Sequence, residues 1–259
     1  MYRLEREQFL ETPRVALWAL IAFQAGFINA FGFLACGRYV SHVTGFGTQI
    51  GVAIAEKKLF FAIELLGFPL TFILGAFVSG FITSARVERG LRPRYDYVIL
   101  TFPIILFALL IFGQFGFFGV FGEQLVEFRD FALLFSLTFF CGMQNGCFAT
   151  MTKGQIRTTH LTGLSTDIGT DFARLFFGNL SESEYALTRK TNFSRISTFL
   201  GFASGSVISV IVSSRLGYHS LVVPLITSLF IYGAVRRISA NLDRLRQIEL
   251  RNKAYAKAV

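Results

Sequence analysis

The chain has 259 residues, of which 53% are hydrophobic and only 16% charged, with 32 phenylalanines and a mean hydropathy of +0.55. An ordinary soluble domain carries about 25% charged residues, and a soluble fold of this length could not bury so much apolar surface; the same composition excludes disorder. The formal charge of +9 would point towards nucleic acid in a soluble protein, so the cations have to be read by position.

Six stretches contain no Asp, Glu, Lys or Arg and are at least 19 residues long: 15–37, 65–85, 97–122, 131–152, 196–214 and 216–235. A helix needs about 20 apolar residues to cross a bilayer core, and isolated strands cannot satisfy their backbone in lipid. The expected fold is therefore an all-α integral membrane protein with six transmembrane helices. The first run is 23 residues long and no small-x-small cleavage site follows it, so it is expected to stay in the protein and not be removed as a signal peptide. Cys36, with Phe33 three residues before it, lacks a lipoprotein signature. Together with Cys141 and Cys147 it makes an odd count without metal spacing, which suits small buried residues better than a disulfide framework.

Taking the loops in order, 20 of the 25 Lys and Arg residues fall in the N-terminus, the loop after the second span, the loop after the fourth and the C-terminal tail. The five others, Arg38, Lys57, Lys58, Arg129 and Arg215, fall on the opposite side. Positive charge collects on the cytoplasmic side, so both termini are expected in the cytoplasm and the basic balance reports topology, not nucleic-acid binding. The tail 236–259 carries Ile238, Leu242, Leu245 and Ile248 at helical spacing among basic residues. It suits either a basic amphipathic helix on an anionic leaflet or a solvated extension of the last span.

The chain also repeats itself. Ser41-His-Val-Thr-Gly-Phe-Gly-Thr-Gln-Ile-Gly51 and Thr159-His-Leu-Thr-Gly-Leu-Ser-Thr-Asp-Ile-Gly169 share six of eleven positions at an offset of 118, including two of the three histidines. Gly26 and Asn29 match Gly142 and Asn145 at an offset of 116; Gly75, Ser79 and Thr83 match Gly201, Gly205 and Ser209 at 126. Small residues every four positions allow close helix packing. The two copies span 15–122 and 131–235, each with three spans and one His-x-Thr-Gly element, at 39–55 and 158–178. Because three is odd, the second copy must be inverted: a 3+3 inverted-topology repeat. Only Arg38 separates 39–55 from the first span, and a seventh crossing would move Arg86, Arg89, Arg92 and Arg94 outside. Each element is thus expected to be re-entrant or broken, which lipid tolerates only inside protein or beside water.

The segments Gly26-Phe-Ile-Asn29-Ala30, Val40-Ser-His-Val-Thr-Gly45, Gly142-Met-Gln-Asn145 and Thr162-Gly-Leu-Ser-Thr-Asp167 resemble those of the YoaK family, bacterial inner-membrane proteins known by a domain-of-unknown-function label. The resemblance runs over nearly the whole chain. It implies a multi-pass inner-membrane protein and no established substrate. Asn29 stands where the family commonly has aspartate and Phe46 where it commonly has asparagine, so no carboxylate role carries over to position 29.

Polar groups inside apolar spans mark the candidate site. Asn29, Gln144 and Asn145 either glue spans one and four together or line a solute pathway. A buried amide left unbonded costs about 1–3 kcal/mol. His42 and His160 either cap their own bent elements with a hydrogen bond or line a shared pathway for a proton or polar solute. Thr44-Gly45 and Thr162-Gly163 look like helix starts, with threonine as N-cap and free N–H groups that suit an anion or polar oxygen. Asp167 and Asp171 share a helix face with Arg174, and Gln49 stands in the first copy where Asp167 stands in the second; Thr166 lies beside them. A surface pairing of Asp171 with Arg174 competes with a coupling role. No catalytic, metal or cofactor motif is found. The expected function is a small-solute transporter or channel-like permease, with the lipid bilayer and a small solute as partners, no nucleic acid, and a homo-oligomer as an open option. A membrane scaffold or partner subunit is the alternative, and an intramembrane enzyme using His160 and Asp167 a third.

Overall fold

The computed structural model describes residues 3–4, 6–123, 128–155 and 158–258. Of the cations counted above, Arg157 lies outside the described residues, as do the side chains of Arg6, Arg129, Lys253 and Lys257. The described chain is helical: α1 Arg6–Phe9, α2 Thr12–Cys36, α3 Val43–Ala55, α4 Leu59–Ile82, α5 Ser84–Glu88, α6 Tyr95–Gln114, α7 Phe128–Met151, α8 Leu161–Phe177, α9 Glu182–Leu216 and α10 Val222–Ala258, with a 3₁₀ turn, Gly217–Leu221, before α10.

Local chemistry sets several of these ends. Pro13 sits in the first turn of α2, where a missing N–H costs nothing. Gly37 closes that helix in the left-handed region (φ 66°), its N–H reaching Phe33 O. Ser181 and Glu184 form a reciprocal capping box that starts α9, 14 residues before the charge-free run at 196–214. That early start is the main departure from the expected spans: Arg189, Lys190 and Arg195 belong to a helix and not to a loop. Likewise α4 starts at Leu59 and takes in Glu64, and α6 ends at Gln114, short of Gly122. The tail is the direct continuation of α10, with Ile238 and Leu242 buried. Arg92 pairs with Asp243 at 2.8 Å and Arg246 donates to Gly90 O at 2.9 Å, which favours the extension over a helix lying free on the leaflet.

Five helical stretches are long and apolar enough to cross a membrane: Thr12–Cys36, Leu59–Glu88, Tyr95–Gln114, Phe131–Met151 and Glu182–Ile248, the last containing α9 and most of α10. Their outward faces are apolar, with Phe60, Phe77, Phe81 and Phe230 largely exposed, a surface suited to lipid and not to water.

Two close parallel pairs organise the bundle. In α2 and α9, a Cβ on Gly26 would lie 2.0 Å from Phe202 O, one on Gly205 2.0 Å from Phe23 O, and one on Gly201 2.3 Å from Ala19 O. In α4 and α7, a Cβ on Gly142 would lie 2.1 Å from Phe72 O and one on Gly75 2.1 Å from Phe139 O. Only glycine admits such an approach. Contacts between α2 and α7 run the other way: Gln144 Nε2 donates to Ile21 O at 3.1 Å, while Trp18 packs edge-on to Phe148. The helices α6 and α10 pack together and against α7 and α2 respectively.

The pairings correct one detail of the repeat. Gly26 meets Phe202 as Gly142 meets Phe72, and Gly205 meets Phe23 as Gly75 meets Phe139. Gly75 therefore corresponds in its contacts to Gly205, not Gly201, and the 126 alignment is one helical turn short. A motif of small residues every four positions overlays on itself after a one-turn slip, so sequence identity could not choose between the registers.

Two ends can be distinguished. One, here called basal, joins Arg3 to Glu88 (2.7 Å), Leu4 N–H to Met151 O (2.8 Å) and Arg92 to Asp243. The other, apical, packs Tyr218 against Gly113, Phe118, Phe121 and Phe31.

Candidate functional site

The two His-x-Thr-Gly segments are built alike. After α2 the chain turns back along the helix. Asn29 Oδ1 accepts from Ser41 N–H at 3.1 Å and from Ser41 Oγ at 2.9 Å, and Val40 packs into the space at Gly32. Only then does α3 begin. After α7, Asn145 Nδ2 donates to Thr159 Oγ1 at 2.6 Å and Asn145 Oδ1 accepts from Thr158 Oγ1 at 3.4 Å, and α8 follows. Ser41 and Thr159 are equivalent in the 118 alignment, and Asn29 and Asn145 in the 116 alignment. Each asparagine thus pins its own returning segment, two turns below the end of its helix. Neither bonds between spans one and four; that role belongs to Gln144.

Both short helices begin two residues earlier than threonine capping requires. His42 occupies the N-cap of α3 with φ −95° and ψ 63°, and His160 that of α8 with φ −93° and ψ 61°. Neither side chain caps its helix, and Thr44 and Thr162 fall inside the first turn. The backbone carbonyl of His42 accepts from Gly45 and Phe46 N–H at 3.0 and 3.3 Å, and that of His160 from Leu164 N–H at 3.2 Å. Without a side-chain cap, the leading N–H groups lack the oxygen that Ser, Thr, Asp or Asn would supply.

The histidines sit differently. The His42 imidazole lies over Gly45, where a Cβ would come within 2.9 Å of Nδ1, and edge-on to Tyr39, which stacks on Phe33. It lines a cavity of about 130 Å³ with Arg38, Tyr39, Phe46 and Gln49. Arg38 reaches Gln49 Oε1 at 2.8 Å. His160 is exposed at the head of α8, where Leu161 packs against Ala22, Ala25 and Phe202. Thus α3 rests on α4, and α8 on α9.

The remaining site residues divide in the same way. Thr48 and Thr166 return their hydroxyls to Thr44 O and Thr162 O, as Ser165 and Thr170 do one turn from their own partners. Gly163 faces open space. Asp167 meets Arg195 at 2.9 Å, and Arg195 also binds Asp171 directly; Arg174 lies 3.6 Å from Asp171. The dominant partner of the two aspartates is therefore Arg195 on α9, not the same-helix Arg174 expected from spacing. Sequence reading missed Arg195 because it was placed in a loop. It also missed Gln24, fully buried, whose Nε2 donates to Pro224 O, Thr227 Oγ1 and Ser228 Oγ of α10. An amide in the same uncharged run as Asn29 was the available signal. Among the described residues no group of three His, Cys, Asp or Glu side chains is placed to hold a metal ion.

Long apolar helices, lipid-suited outer faces and glycine-mediated helix pairs define a multi-pass membrane protein. Residues 17–234 match the model of a family described as a protein of unknown function, DUF1275. That match covers most of the chain, and the chain belongs to this family, the YoaK family. No curated protein and no solved structure matches it.

Proposed function

We propose that the protein is a small-solute permease with six crossings in a 3+3 inverted repeat, in which α3 and α8 are the broken elements that form its pathway. The observation that carries this reading is the matched pair of uncapped helix starts at His42 and His160, each reached by chain folded back onto an asparagine. Interrupted elements whose N-termini point into the membrane are how repeat-built transporters hold polar or anionic groups. In this reading α9 and α10 are separate crossings joined by the 3₁₀ turn. The chain then enters and leaves at the basal end, and the 20-to-5 charge bias supports that end as the cytoplasmic one. Asn29, Gln144, Asn145 and the His-x-Thr-Gly residues position the elements, and no enzymatic step is assigned.

A membrane scaffold is the second reading. One observation favours it: the described cavity at His42 is lined only by residues 33–49, so that histidine need not share a path with His160.

Osmotic swelling of liposomes carrying the purified protein tests both readings, whatever the solute. A panel of neutral polar solutes, small anions and small cations should include one class that enters faster than in protein-free vesicles. Asn145→Leu and Asn29→Leu should each cut that entry at least about tenfold and lower stability by about 1–2 kcal/mol, the value of a buried hydrogen bond. Vesicles no leakier than empty ones for every class would leave the scaffold.

A further inference from the structure

At the basal end, a cavity of about 580 Å³ opens between the start of α2 and the pre-membrane part of α9, lined by Leu10, Glu11, Val15, Arg189, Lys190 and Phe193 among others. Its position is set by the two helices: the charge-free run of α2 begins at 15 and that of α9 at 196, so the cavity straddles the level at which apolar sequence begins. Its chemistry is divided accordingly. Arg189 and Lys190 supply its charge, seven and six residues before the charge-free run; Val15, Leu10 and an exposed Phe193 supply its apolar lining. Phe176 and Phe177 are exposed at the end of α8, just before α9.

The cations of this region differ in their partners. Arg3 is paired with Glu88, Arg14 with Glu11, Arg92 with Asp243, and Arg195 with Asp167 and Asp171. Among the described residues, Arg189 and Lys190 have neither an ion pair nor a hydrogen bond. The one carboxylate in the cavity, Glu11, is already engaged by Arg14 at 3.2 Å. Two adjacent cations without protein partners, beside an apolar wall and at the membrane boundary, complement a phosphate that carries an acyl chain.

We propose that this cavity is a binding site for an anionic phospholipid, its phosphate held by Arg189 and Lys190 and one acyl chain running along Val15 and Phe193. The full chain in detergent, given defined lipids and weighed intact by native mass spectrometry, tests it. Phosphatidylglycerol should be retained in preference to phosphatidylcholine. Arg189→Gln/Lys190→Gln should lose that preference by about 25-fold, roughly fivefold per cation. Arg236→Gln/Arg237→Gln, on α10 at the same end, should leave it unchanged. Should the double variant fail to fold, Lys190→Gln alone should lose about fivefold, and Phe193→Ala should weaken both lipids alike. Wild-type retention of phosphatidylglycerol by the charge variants, equal loss from the α10 control, or displacement of the lipid by excess inorganic phosphate would each overturn the site. Lipid retention is read without any flux, so its failure and a failure of transport are separate results.

Discussion

The joint between α3 and α4 and the joint between α8 and α9 occupy corresponding places in the two halves, yet they are held by different forces. The 118 alignment sets Ala53 against Asp171 and Gln49 against Asp167, and the contact register of the long helices sets Leu65 against Arg195. In the first half Ala53 and Leu65 are buried in the apolar core, and Phe46 packs at a tilt on Phe68, with ring centroids 4.6 Å apart. In the second half one arginine, with a side chain 18% exposed, bridges two aspartates. The same geometry can thus be closed by burial or by charge. An apolar joint gains from desolvation alone, whereas the ionic one holds only while all its members are present.

The largest expected effect breaks the ionic joint from one side. Arg195→Leu writes the first-half residue into the second half but leaves Asp171, whose side chain is 9% exposed, with only the longer contact to the exposed Arg174 at 3.6 Å. Loss of one partner from a buried pair costs about 3–5 kcal/mol. Completing the exchange with Asp171→Ala and Asp167→Gln should recover most of that loss, because replacing a whole buried pair by apolar groups is often neutral. Unfolding of the three variants in mixed micelles checks this. A triple variant as unstable as Arg195→Leu would show that the two joints are not equivalent.

A smaller effect tests the register on which the comparison rests. Gly75→Ala and Gly205→Ala each drive a methyl to within about 2 Å of a carbonyl oxygen in the partner helix, and overpacking of this kind costs about 1–3 kcal/mol. Gly80→Ala and Gly233→Ala, which face open space, should cost nothing and gain slightly in helix propensity. Equal melting temperatures for all four would refute the paired contacts.

How much of this was legible in the residues depends on the length scale of the signal. Long charge-free runs gave the apolar crossings, because exclusion of charge is a property of a whole segment and survives errors at its ends. The helix ends were not legible where a helix runs on past the apolar layer: α9 begins with a capping box, Ser181 to Glu184, that could have been found by looking for Ser-x-x-Glu upstream of the span. Placing Arg195 in a loop followed from missing it. The histidine pair and the two asparagines were visible as matched outliers in apolar sequence, but their partners were not. Ser41, Thr158 and Thr159 come into reach only when the chain doubles back, and spacing along the chain does not encode that return.

The smallest expected effect sharpens the one feature that the two halves share without change. At both α3 and α8 a histidine fills the N-cap with nearly identical backbone angles and no capping bond, while α9 of the same chain is fully capped. Stability alone would favour Asp or Asn at positions 42 and 160, worth about 0.5–1 kcal/mol each. His160→Asn and His42→Asn should therefore raise the unfolding midpoint slightly. If the uncapped N–H groups serve a passing solute, the same substitutions should slow solute entry, since a side-chain oxygen would then occupy the donors. A gain in stability with unchanged entry would mean that the histidines shape the break without touching the solute. A loss of stability would mean that the imidazole is itself a structural contact, most directly at His42, where the ring lies over Gly45 and against Tyr39. Because His160 is exposed and His42 lines a cavity, the pair should also separate: the gain is expected to be larger at 160, where the side chain being replaced is exposed, than at 42, where the packing of the ring on Tyr39 is given up.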